Sequence, residues 1–173
     1  MLKDIRIEKV SPSQAKELQA IGKQTFLESF ASYNKKEDME RYLEDSFNIK
    51  KVLNDLRNPK SESYFALFDQ KIIGYLKLNF GAAQTELCDQ NGVEIERIYL
   101  LKQFQGKKIG QNLLKKTSEI AKQRKAEFIW LGVWEENLRA IQFYENNGFV
   151  QFDKHVFYLG DDKQIDIMMK IKM

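Results

Sequence analysis

Gln105-Gly106-Lys107-Lys108-Ile109-Gly110 joins an apolar run, Val93 to Leu101, to a stretch whose Ile109, Leu113, Leu114, Ile120 and Ala121 fall on one stripe. The pattern reads strand, glycine-bearing loop, amphipathic helix. A helix start leaves several backbone N–H groups without internal partners and carries partial positive charge. Lysines are electrostatically wrong there for a bare helix, whose first turn normally holds acids. They fit a helix end that receives an anion, so the loop predicts a phosphate-bearing ligand.

The flanking sequence extends this pattern in both directions. Ile5 to Val10 reads as a strand. Ser11-Pro12-Ser13 signals a helix start, and Ala15, Leu18, Ile21, Phe26 and Phe30 carry the helix to Phe30. Helices follow at 36–47 and 49–56, ended by Asn58-Pro59. Tyr64–Phe68 and Ile72–Phe80 are strands. In the second, Leu76, Leu78 and Phe80 face one way and Tyr75, Lys77 and Asn79 the other. A polar loop spans 81–92. Phe128 to Trp134 is nearly all apolar, as in a central strand covered on both faces. A helix from Asn137 to Asn147 stops at Gly148. Phe149–Tyr158 and Ile165–Ile171 form a hairpin around Gly160-Asp161-Asp162. This is an α/β chain, with one domain over 1–173 and one mixed sheet flanked by helices.

Composition narrows the function. The chain has 173 residues, 43% hydrophobic and 31% charged, with net charge +3. That charge is too small to imply a nucleic-acid partner. No run approaches the roughly 18 apolar residues of a membrane span. The first residues, Met1-Leu2-Lys3-Asp4, lack the apolar core of a signal peptide. The single cysteine, Cys88, excludes an internal disulfide and suits a reducing compartment, so a cytoplasmic location is expected. No histidine–cysteine cluster suggests a metal. Between Lys102 and Lys125 stand eight bases and one acid; between Glu37 and Asp45 stand five acids and one base. Each run alone reads as a solvated helix face; together they suggest an anionic and a cationic ligand.

Known phosphate loops do not fit. Gly106 and Gly110 are too close for a P-loop, and the dinucleotide fingerprint is absent. Asn137 to Phe149, however, reads N-x-x-A-x-x-F-Y-x-x-x-G-F about thirty residues after the loop. With these two segments the chain resembles the GCN5-related N-acetyltransferase (GNAT) family. Ile95–Tyr99, Ile129–Glu135 and His155–Asp161 are similar to its PaiA-type spermidine/spermine N-acetyltransferases. The resemblance implies a mostly antiparallel seven-stranded sheet with splayed central strands. One departure is Lys108, at a position where the family's loop usually has glycine.

Acetyl-coenzyme A is then the implied co-substrate. Its pantetheine arm would pair with Ile98, Tyr99 and Leu100, and its diphosphate would lie on Gln105, Gly106, Lys107, Lys108, Ile109, Gly110 and Gln111. Asn137 would bond the cofactor or cap its helix. Tyr144 is the implied general acid for the departing thiolate. The acceptor is expected to be a small-molecule amine, and the chain a monomer or homodimer. A primary amine of pKa near 10.4 costs roughly 4–5 kcal/mol to deprotonate at pH 7. A carboxylate is therefore needed. Glu96 is the expected base, with Glu94 on the same strand face. Tyr42 and Trp134 could border the acceptor, Glu28, Glu40 and Glu44 could supply acids, and His155 could stand on the substrate side. Alternatives left open are a peptide or antibiotic amine as acceptor, or a non-enzymatic acyl-CoA-binding module.

Overall fold

A computed structural model describes residues 4–86 and 89–173. Cys88 and the first three residues lie outside the described residues. The strands are β1 (Arg6–Lys9), β2 (Ser61–Phe68), β3 (Lys71–Phe80), β4 (Gly92–Leu100), β5 (Phe128–Trp134), β6 (Val150–Leu159) and β7 (Asp162–Lys172). The helices are α1 (Ala15–Phe30), α2 (Lys36–Ser46), α3 (Ile49–Arg57), α4 (Ile109–Gln123) and α5 (Leu138–Asn146).

The strands form one sheet in the order β1-β2-β3-β4-β5-β7-β6. Every neighbouring pair is antiparallel except β4 and β5, which are parallel and joined through α4. The sheet has an apolar core on each face. On one, Leu76, Leu78 and Phe80 of β3 join Leu113 and Ile120 of α4 and Tyr144 of α5. On the other, Phe65 and Tyr75 meet Leu18, Ile21 and Phe26 of α1, Met39 and Leu43 of α2 and Val52 of α3. Fully burying one such aliphatic or aromatic side chain contributes about 1.5–3 kcal/mol. These contacts, rather than propensity, hold the short helices.

The period-2 reading of β3 assigned its two faces correctly but not their environment. Lys77 and Asn79 are buried along with Tyr75. Helices α1 and α3 cover that face; Lys77 and Asn79 find partners inside the protein, whereas the Tyr75 hydroxyl has none among the described residues.

Two features shape a cleft. The β4–β5 pairing runs Gly92–Phe128, Val93–Ile129, Glu94–Trp130 and stops there. Beyond Glu94 the strands diverge, and their facing backbone groups lack the ladder partners a parallel pair supplies. On the other edge of β4, Lys77 pairs with Arg97 and Leu78 with Ile95, leaving Glu96 as the extra residue of a bulge.

Candidate active site

The divergence of β4 and β5 opens a cleft of about 730 Å³. One end is the loop before α4. Gly106 has φ +76° and Lys108, the N-cap of α4, has φ +63°. Two left-handed residues turn the chain so that α4 begins at the cleft wall. Side chains rarely adopt this conformation, which glycine adopts freely. Gln105, Gly106, Lys108, Gly110 and Gln111 line the cleft. Lys107 and Ile109 do not: the Lys107 ammonium lies 5.2 Å from the Phe104 ring centroid, and Ile109 is core. A Cβ on Gly110 would stand 3.1 Å from the Phe143 ring, so its bareness lets α4 and α5 approach.

Arg139 completes this end, and the sequence reading passed over it. Its Nη1 donates to Gln105 Oε1 at 3.1 Å, while Gln105 Nε2 donates to the Leu100 carbonyl at 3.1 Å. A Cβ on Gly106 would lie 3.5 Å from Arg139 Nη2. The guanidinium therefore stands directly over the loop. The same signal that marked Lys107, a base in the first turn of a helix, was present at Arg139. Asn137 caps α5, its Oδ1 accepting from the Ala140 N–H at 3.2 Å.

The middle of the cleft holds Ile98, Tyr99 and Leu100 from β4 and Tyr144 from α5. Tyr144 is mostly buried, and burial pushes its hydroxyl well above the usual tyrosine range. Among the described residues it has no hydrogen-bond partner.

The other end is acidic and aromatic. Tyr42 stacks on Phe26 at 4.4 Å, and Trp134 lies edge-on to Phe30 at 6.1 Å; all line the cleft. His155 Nδ1 is 2.6 Å from Glu86 Oε1, and its Nε2 is 4.0 Å from Asp166 Oδ2. Burial raises Asp166 above the ordinary carboxylate range, against the pull of His155.

Glu94 and Glu96 also line the cleft, in opposite electrostatic settings. Asn79 Nδ2 donates to both, at 3.0 Å to Glu94 and 2.6 Å to Glu96. Burial opposes the charge of Glu96, but Lys77, 2.7 Å away, and Arg97 outweigh it and hold its pKa low. Lys77 also pairs with Asp55 at 2.7 Å. Burial is the larger influence on Glu94 and raises its pKa, despite hydrogen bonds from Thr85 and Asn79. Glu96, at the bulge, thus lies in an ion pair with Lys77 while sharing Asn79 with Glu94.

Three of the expected acids stand elsewhere. Glu28 accepts the Lys102 N–H at 2.7 Å and is absent from the cleft lining. Glu40 is exposed and faces Lys36 at 3.7 Å, one helical turn away on α2; Glu44 is exposed on the same helix. The acids that do line the cleft are Glu86, Glu94, Glu96 and Asp166.

Residues 23–149 match the model of the acetyltransferase (GNAT) family. The chain belongs to the GNAT family. Over 96% of its length and 96% of the relative's, this GNAT chain is 41% identical to an uncharacterized N-acetyltransferase of Lactobacillus delbrueckii subsp. lactis. It is 26% identical to a spermidine N(1)-acetyltransferase of Thermoplasma acidophilum, over 84% of this chain and 88% of that one. Its fold superimposes on the crystal structure of PaiA N-acetyltransferase from Thermoplasma acidophilum in complex with coenzyme A. The TM-score is 0.82, with 25% identity, covering 99% of this chain and 100% of the other. The seven-stranded GNAT sheet and its splayed centre are therefore the architecture of the family. Among the described residues no helix is long and apolar enough to cross a membrane, and no group of three or more His, Cys, Asp or Glu side chains could hold a metal ion.

Proposed function

We propose that this chain transfers the acetyl group of acetyl-coenzyme A to a primary amine, with polyamines such as spermidine and spermine as its preferred acceptors. One observation carries the reading. A single cleft runs from a basic helix-end loop, past a Tyr144 hydroxyl without a partner among the described residues, to a wall of carboxylates and aromatic rings.

The loop end suits a diphosphate. The start of α4 adjoins it with the unsatisfied N–H groups of a helix end, Gly106 presents no side chain, and Arg139 adds a guanidinium that can fork onto phosphate oxygens. The unpaired edge of β4 suits an amide-bearing arm, which can add to it as a further strand would. Acetyl-coenzyme A, when bound, supplies the acetyl thioester. Tyr144, kept protonated by burial, donates to the departing sulfur.

The acceptor end suits a flexible polycation. Glu86 and Asp166 offer carboxylates, and Tyr42 and Trp134 offer ring faces. The sequence likeness to a spermidine N(1)-acetyltransferase supports the same substrate class. Glu96 is occupied by Lys77 and is a weak base. Glu94 is the carboxylate whose surroundings favour taking a proton. Thiol release on mixing acetyl-coenzyme A with a panel of amines and peptides tests the reading.

A further inference from the structure

Glu94 is the better base by environment, yet it is only 3% exposed. Both carboxylate oxygens are engaged. Oε2 accepts the Thr85 N–H at 2.8 Å and Asn79 Nδ2 at 3.0 Å. Oε1 accepts the Thr85 hydroxyl. Glu94 meets the cleft with little of its surface, and a group that touches both gives a proton leaving the cleft a route to it. Among the described residues hydrogen-bonded to Glu94, Asn79 is 1% exposed. Thr85 is exposed and lines the cleft.

The chemistry of Thr85 fits that position. A hydroxyl has one donor and two acceptor lone pairs. Its donor is committed to Glu94, so its lone pairs remain for an N–H arriving from the cleft. The backbone N–H of the same residue also binds Glu94, which fixes the loop and with it the hydroxyl. Trp130, opposite Glu94 on β5, ties the preceding residue: its Nε1 donates to Gln84 Oε1 at 2.7 Å. Both strands at the apex of the cleft thus hold the segment that carries Thr85.

We infer that Thr85 is a catalytic proton relay, taking a proton from the acceptor ammonium while passing its own hydroxyl proton to Glu94. This rests on the amine-acetylation reading above. The substrate N–H bond breaks and its electron pair stays on nitrogen. The freed proton bonds to Thr85 Oγ1 as the original hydroxyl proton moves to Glu94 Oε1. Ammonium and carboxylate become amine and carboxylic acid, and Thr85 is regenerated. Burial, which raises the Glu94 pKa, favours the neutral product of this exchange.

The test compares wild type, Thr85→Val and Thr85→Ser on two acceptors: a polyamine, and a fluorinated analogue whose primary amine is already neutral at pH 7. Thr85→Val should lower kcat/KM for the polyamine by about 100-fold, within the range general-base catalysis contributes. Thr85→Ser should restore most of it. The Thr85→Val loss should vanish on the fluorinated amine, which needs no deprotonation, and acetyl-coenzyme A affinity should not change. Full activity of Thr85→Val on the polyamine, or an equal loss on both acceptors, overturns the relay. If Thr85→Val does not fold, Glu94→Gln gives the same comparison: a loss confined to the polyamine supports the relay, and equal losses overturn it. Wild type acetylating neither amine refutes the function itself, an outcome distinct from both.

Discussion

Glu94 of β4 and Trp130 of β5 are the last residues that the two central strands pair, and the cleft starts at that point. Past them β4 offers unpaired backbone toward the cleft. Binding of coenzyme A should slow amide hydrogen exchange over residues 96–100 and at the start of α4, because a ligand pairing with these groups closes them to water. Protection confined to other segments would place the cofactor elsewhere.

Tyr144 has a hydroxyl without a partner among the described residues, so Tyr144→Phe should leave the melting temperature unchanged. It should lower kcat roughly 100-fold, the lower end of what a positioned acid contributes. Coenzyme A affinity should hold. The sign of the pH effect follows from burial, which raises the pKa. Tyr144 stays a donor until pH passes that raised value, so it adds no basic limb to kcat below the ordinary tyrosine value of about 10.

Lys108 sits at φ +63° with an exposed side chain. A left-handed non-glycine residue costs about 1–2 kcal/mol. Lys108→Gly should therefore raise the melting temperature by about 2–4 °C, the shift expected per kcal/mol for a chain of this size. If the phosphates meet only its N–H, coenzyme A affinity should be unaffected. A lower melting temperature would contradict the strain assigned to this loop.

Glu96 and Glu94 should respond oppositely. Glu96 has a lowered pKa, so its stabilising contribution is complete above the ordinary value near 4.5 and is lost as pH falls through the lowered one. Removing it leaves Lys77 with Asp55 as its remaining carboxylate partner, and Glu96→Gln should cost roughly 1.5–3 kcal/mol at pH 7. Glu94 has a raised pKa, so its carboxylate penalises folding above that value and the penalty disappears on acidification. Glu94→Gln should hold or gain stability at pH 7. Denaturant titrations of both variants, repeated at pH 4, check the pair of signs.

Much of this was legible in the chain because local rules agreed. Periodicity placed the seven strands and five α-helices of the described residues, and β5 at its observed limits, because each element has an apolar face to cover. The loop before α4 was legible because lysines at a helix start contradict the helix dipole unless an anion is present. What failed was long-range. Glu28 shares no cleft with Tyr42 because its carboxylate binds the Lys102 N–H, 74 residues away. The ion pair of Glu96 with Lys77 of β3 was not read, because alternation along one strand carries no record of its neighbour's charges. Thr85 sits in a loop with no period, where only the fold brings it to Glu94. Arg139 was readable by the same dipole argument as the lysines.

The most direct test is mass spectrometry of the products formed from acetyl-coenzyme A and spermidine, alongside peptide and antibiotic amines. The account predicts free coenzyme A and N-acetylspermidine in equal amounts, with spermidine preferred over the other acceptors. Tight binding of acetyl-coenzyme A with no acetylated amine of any kind would contradict it.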